Sequence, residues 1–282
     1  MCLPGTIETV REQVEKDGVP LVSRRTALLG GGAVAVGASA LPMKAFAARK
    51  AKKRFRDLTH VFRAGFPIYG TPPTFVTPSR KTIVNVDPDG FYGQEWTFWE
   101  HSGTHMDVPG HFIANGRRSP DIKPRELIAP IVVIDISDRV ARDPDAVVTP
   151  DDLRSFERRH GRIPKRAIVA MYSGWESRID DPAAFRNADG SGVLHFPGFG
   201  KPAVDWLLAR RRISGIGVDT LSLDHGPSTT FGAHLTILGA DKYGIENLAN
   251  LSRIPPRGAI AYLGLVPWEE GSGGPCRVIA NW

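Results

Sequence analysis

The chain has 282 residues, of which 41% are hydrophobic and 23% charged. This is a globular balance that excludes a disordered chain or a coiled coil. Only two cysteines, Cys2 and Cys276, exclude a disulfide framework or a multi-cysteine zinc finger. The formal net charge of +6 hints at a polyanionic partner, so its distribution matters.

In chain order, the first segment reads as an export signal. Ser23-Arg24-Arg25-Thr26-Ala27-Leu28-Leu29 resembles a twin-arginine motif, and residues 28–41 form a weakly apolar stretch broken by glycine. Ala45-Phe46-Ala47 offers a small-x-small cleavage site. Residues 1–47 are therefore expected to direct the chain to the periplasm. The apolar run is shorter than the roughly 20 residues a membrane span needs, so no stable membrane insertion is expected after processing. Residues 48–56 form a linker carrying Arg49, Lys50, Lys52, Lys53 and Arg54. From Phe55 onward the chain has 26 basic and 26 acidic residues. With the excess confined to signal and linker, the basic run reads as a solvated arm, and no nucleic-acid partner is expected.

Residues 57–282 read as one domain. Short Val- and Ile-rich runs at 83–86, 131–136, 167–172, 213–218 and 259–266 suggest buried strands. Thr149-Pro150-Asp151-Asp152 opens a helix with a capping threonine and proline at the first helical position. A second helix is expected over 201–212, with Val204, Leu207 and Leu208 on one face. The alternation indicates an α/β class, a mixed sheet with flanking helices. His60, His160 and His195 stand alone and read as ordinary hydrogen-bonded polar residues, and Cys276 reads as a buried small hydrophobe.

The most informative stretch is His101-Ser-Gly-Thr-His105-Met-Asp107-Val-Pro109-Gly-His111. Three imidazoles and a carboxylate in so short a run suit a divalent metal. On an extended chain, His105 and Asp107 share a face about 6.6 Å apart. His101 would lie about 13 Å from His105 unless the chain bends, and Gly103 is where a bend costs least. Pro109-Gly110 could likewise turn His111 back.

H-x-G-T-H-x-D-x-P-x-H resembles the signature of the cyclase family of metal-dependent hydrolases, which includes bacterial kynurenine formamidases and isatin hydrolases. All seven fixed positions match, and the likeness extends to Asp57-Leu58-Thr59-His60, residues 217–224, His234 with Glu246-Asn247-Leu248, and residues 271–277. The resemblance implies a β/β/α fold, usually assembled as a homodimer or tetramer. It makes His101, His105 and Asp107 metal ligands, with His234 and Glu246 completing a site for one or two ions, zinc or manganese. It assigns acid–base work to His111. Where the family usually has Pro-Gly-Asp near the substrate, this chain has Tyr69-Gly70-Thr71-Pro72-Pro73, which bears on substrate choice.

Asp219 and Asp224 could orient imidazoles or cap loops. Trp96, Phe98 and Trp99 could line an aromatic pocket or belong to the core. The expected activity is hydrolysis of a small-molecule amide, formamide or lactam of the arylformamidase kind. The alternatives are an isatin or lactone hydrolase with one metal, or a non-catalytic exported metal-binding protein. His111, which metal storage would not need, argues for an enzyme.

Overall fold

A computed structural model describes residues 53–282. The segment read as an export signal lies outside the described residues. In chain order the strands are β1 (Phe55–Asp57), β2 (Ser79–Val84), β3 (Gly93–Thr97), β4 (His105–Asp107), β5 (Ile128–Asp135) and β6 (Val147–Val148). They continue with β7 (Ile168–Tyr172), β8 (Gly198–Phe199), β9 (Gly215–Val218), β10 (Tyr243–Glu246), β11 (Ala259–Leu265) and β12 (Gly273–Asn281). The principal helices are α1 (Pro150–His160), α2 (Lys201–Arg210) and α3 (Gly232–Gly239).

Eight strands form one mixed sheet in the order β1-β12-β11-β5-β7-β9-β10-β4. β5, β7, β9 and β10 run parallel, and the remaining pairings are antiparallel. β4 pairs with β10 on one side and with residues 273–275 of β12 on the other, which closes the sheet into a barrel. β1 begins inside the segment read as a linker and pairs with residues 279–281 of β12.

Side chains alternate across this sheet with the two-residue period of a strand. Met106, Ile131, Val133, Ile168, Ala170, Ile245, Val278 and Ala280 fill one buried cluster. Their neighbours Val132, Ile134, Val169, Met171, Ile216 and Val218 face the other way. There they pack with Leu153 and Phe156 of α1, Val204 and Leu207 of α2 and Ile237 of α3. Cys276 is buried in the first cluster, and burial pushes its thiol up to about 12.

Four of the five expected strands appear within a few residues of their predicted bounds. The run at 83–86 is different: β2 ends at Val84, its only buried residue, and pairs with β3 in a separate two-stranded ribbon. Residues Arg80–Glu95 belong to a compact unit distinct from the unit formed by Lys53–Ser79 and Trp96–Trp282. The predicted start of α1 is realised in full, since Thr149 Oγ1 accepts from Asp152 N–H and the Asp152 carboxylate accepts from Thr149 N–H. α2 stops at Arg210, where Arg211 becomes extended.

Candidate metal centre and active site

β4 is only three residues long, and its alternation decides the site. Met106 enters the barrel core, so His105 and Asp107 project together from the opposite face. Glu246 lies directly across from His105 in the β10–β4 pairing, and Ile245 across from Met106. Glu246 therefore joins His105 and Asp107 on that face. Gly103 takes φ +70 and makes the bend that brings His101 back. The 3-10 turn Pro109–His111 returns His111, whose ring stacks on His101 with centroids 3.7 Å apart. α3 supplies His234.

The five expected ligands converge. His101 Nδ1 lies 2.7 Å from Asp107 Oδ1, and His105 Nε2 lies 3.3 Å from both Asp107 Oδ1 and Glu246 Oε2. His234 Nε2 is 3.4 Å from Asp107 Oδ2 and 3.1 Å from Glu246 Oε1. Ligand atoms of His101, Asp107 and His111 lie within 4.8 Å of one another, as do those of His105, Asp107 and Glu246. Asp107 thus offers one oxygen to His101 and His105 and the other to His234.

Two imidazoles have their orientation set by the groups behind them. His105 Nδ1–H donates to Gly103 O at 3.0 Å, and Asn247 Nδ2 donates to the same carbonyl. His234 Nδ1–H donates to Asp224 Oδ2 at 2.7 Å. Each ring is left with Nε2 facing the centre, where it can carry a proton or a metal ion. His105 Nε2 and Asp107 Oδ2 are fully buried without a hydrogen-bond partner. Orphaned donor atoms of this kind, amid carboxylates and imidazoles, suit a divalent cation.

Electrostatics agree with that fit. Burial opposes charge on His105, yet Asp107 and Glu246 push its pKa up to about 10. Asp107 is also opposed by burial, but His105 and His101 hold its carboxyl well below the usual range. His111 behaves differently. Burial, helped by the neighbouring His101 and His234, lowers it to about 4, leaving a neutral imidazole at physiological pH.

The cage opens into a pocket of about 160 Å³, with Tyr69, Phe75, Trp99, Phe112 and Phe231 in its lining. Trp99 meets Phe75 edge-on at 5.2 Å. Trp96, expected as a possible pocket residue, instead packs against Phe62, as does Phe98. Asp224 stands behind His234, hydrogen-bonded to its ring, whereas Asp219 turns to a different set of partners. Its carboxylate accepts from Ser173 N–H, Ser173 Oγ–H and Gly174 N–H, and so ties down a loop. Phe112 and Phe231 were not expected from the sequence, since nothing in their local spacing distinguishes a wall of a pocket from core. Tyr69 lies in the segment where the chain departs from the usual family pattern, which was the available signal.

A barrel carrying a buried imidazole–carboxylate cage beneath an aromatic pocket defines a metallohydrolase type of centre. The family model described as "Putative cyclase" matches residues 56–225. An isatin hydrolase of Roseibium aggregatum is 36% identical over 238 residues, covering 79% of this chain and 90% of that protein. A kynurenine formamidase of Erythrobacter litoralis is 26% identical, covering 82% of this chain and 94% of that one. Among solved structures, isatin hydrolase A from Ralstonia solanacearum superposes with a TM-score of 0.77 at 36% identity, covering 81% and 92% of the two chains. The chain belongs to the cyclase family of metal-dependent hydrolases.

Proposed function

We propose that the protein hydrolyses the C–N bond of a cyclic amide fused to an aromatic ring, a substrate of the isatin type. The observation that carries this reading is the pocket, which sets an imidazole–carboxylate cage among five aromatic side chains. From the sequence, an open-chain arylformamide came first and isatin second. The 36% identity to an isatin hydrolase, against 26% to a kynurenine formamidase, favours the reverse order.

His101, His105, Asp107, His234 and Glu246 would hold the metal, zinc or manganese. The two oxygens of Asp107 face different imidazoles. A divalent ion in such a site lowers the pKa of water and polarises a carbonyl. The protein's own groups do the rest. The aromatic side chains take the planar ring and exclude bulk water, which strengthens the electrostatics of the cage. His111, neutral and lining the pocket, accepts the proton of the attacking water and delivers it to the amide nitrogen as the C–N bond breaks. Water is thus divided between a carboxylate and an arylamine, and the ring opens.

Isatin, N-formylkynurenine and a simple lactone assayed side by side test the reading. Isatin should show the highest kcat/KM; efficient turnover of the formamide or lactone with none of isatin would overturn it. His111→Ala should keep the bound metal and lose on the order of 10²–10⁴ in kcat. Undiminished turnover in that variant would dismiss its role in proton transfer.

A further inference from the structure

His101 is held differently from the other two imidazoles. His105 and His234 each donate Nδ1–H outward and turn Nε2 to the centre. In His101, Nε2 points outward, 2.9 Å from Ser272 Oγ, and Nδ1 points inward, 2.7 Å from Asp107 Oδ1. Which ring nitrogen carries hydrogen follows from Ser272. Its hydroxyl has a single proton, and Oγ lies 2.6 Å from Glu100 Oε1 while Ser272 N–H reaches Glu100 Oε2 at 3.2 Å. A carboxylate has no hydrogen to give, so the hydroxyl donates to Glu100. Only a lone pair of Oγ is left for the ring, and His101 Nε2 must be the donor. Nδ1 then faces a carboxylate oxygen at 2.7 Å, a contact that is favourable only with a cation at that nitrogen, whether a proton or a metal ion.

We propose that Glu100 and Ser272 are positioning residues that fix His101 in its Nε2–H form, so that it ligates a divalent ion through Nδ1 while His105 and His234 ligate through Nε2. The proposal rests on the reading of the cage as a metal centre. Glu100 immediately precedes His101, but Ser272 is 171 residues away in sequence and adjoins β12. Ser272 O also accepts from Val108 N–H at 3.0 Å, just past β4. The first ligand is therefore oriented only when the C-terminal strand has docked on β4. A carboxylate behind a ligating imidazole makes the ring a stronger donor, and such outer partners typically change metal affinity by about 10–100-fold. Here a hydroxyl stands between carboxylate and ring.

The test measures zinc and manganese affinity by competition with a chelator, in full-length protein first stripped of metal. Ser272→Ala and Glu100→Gln should each weaken binding by about 10–100-fold, with the circular dichroism of the stripped proteins unchanged. Ser272→Thr, which keeps the hydroxyl, should restore most of the affinity. Long-range ¹H–¹⁵N spectra of zinc-loaded wild-type protein give a second readout that needs no variant. They should show His101 protonated at Nε2 and metal-shifted at Nδ1, with His105 and His234 showing the opposite pattern. A metal-shifted Nε2 on His101 would overturn the proposal, as would unchanged affinity in both variants. Wild-type protein that binds neither ion would instead overturn the metal-centre reading beneath it.

Discussion

His60 and His111 are both lowered to about 4, chiefly by burial, yet they stand in different relations to the rest of the chain. His111 opens onto the pocket among other imidazoles, where a neutral ring near a reacting amide is chemically useful. His60 packs beside Phe66, with Arg63 adding to the lowering of its basicity, and its Nε2 is buried without a hydrogen-bond partner. From the sequence it reads as a hydrogen-bonded polar residue; the structure corrects this for its side chain. The consequence is a pH-dependent stability. The unfolded chain binds a proton at this ring near pH 6.5 and the folded chain only near 4, so stability is fully present above about 6.5 and is lost as pH falls through that window. Urea unfolding midpoints of wild type should drop more between pH 7 and pH 5 than those of His60→Leu. Parallel pH dependence in the two proteins would show that His60 contributes nothing to the acid limb.

Among the elements, α3 depends on a single carboxylate that also serves the site. Asp224 Oδ1 accepts from Ala233 N–H and Oδ2 from His234 N–H, in the first turn of the helix, while Oδ2 also holds the His234 ring. The N–H groups of a first turn have no partners within the helix, and a carboxylate there also suits the dipole. Asp224→Ala should thus cost about 1–3 kcal/mol of stability and loosen His234 together. Metal content and urea midpoint should fall in the same variant; a fall in only one of them would separate the two roles and refute the coupling. This dual use explains why α3 was hard to read. Gly232 through Gly239 has glycine at both ends and no capping side chain at Phe231, because its cap comes from eight residues or more upstream. β4, in contrast, was legible from one short motif. Its ligands alternate with Met106, and both required bends fall at glycine or proline. β12 was recognised only as a closing segment, since Gly273-Gly274-Pro275 carries no strand pattern. The reason is contact: a Cβ on Gly273 would lie 2.4 Å from Met106 O and 2.7 Å from His101 Cε1. Glycine there lets β12 approach β4 closely enough to shut the barrel. Local periodicity reports burial, and does not report a tight approach between strands far apart in sequence.

At the level of the whole molecule, charge shows the same limit. The body is neutral by count, yet two adjoining clefts near the amino ends of β7, β9 and β10 are lined by Arg117, Lys123, Arg125, Arg166, Arg212 and Lys242 among other cations. Arg117 is paired there with Glu126 and Asp241, which line the same cleft, but the remaining cations outnumber the carboxylates, a local excess that a sum over the sequence cannot reveal. Barrel closure makes the site a property of the whole fold in a more direct way. β4 is the strand that joins β10 to β12, and its outward residues His105 and Asp107 meet Glu246 of β10 and His234 of α3. An ion held by these groups would tie β4 to β10 across the seam of the barrel, whereas without it two buried carboxylates must be balanced by protons on histidine. Because metal that binds the folded chain stabilises it by mass action, an ion present at 100 times its Kd adds about 2.7 kcal/mol. For a domain of this size each kcal/mol moves Tm by roughly 2–4 °C. Chelation should then lower Tm by about 5–10 °C, and added zinc or manganese should restore it. If the melting temperature is indifferent to both chelator and metal, the cage does not hold the seam, and the ligands on β4 and β10 must be positioned by packing alone.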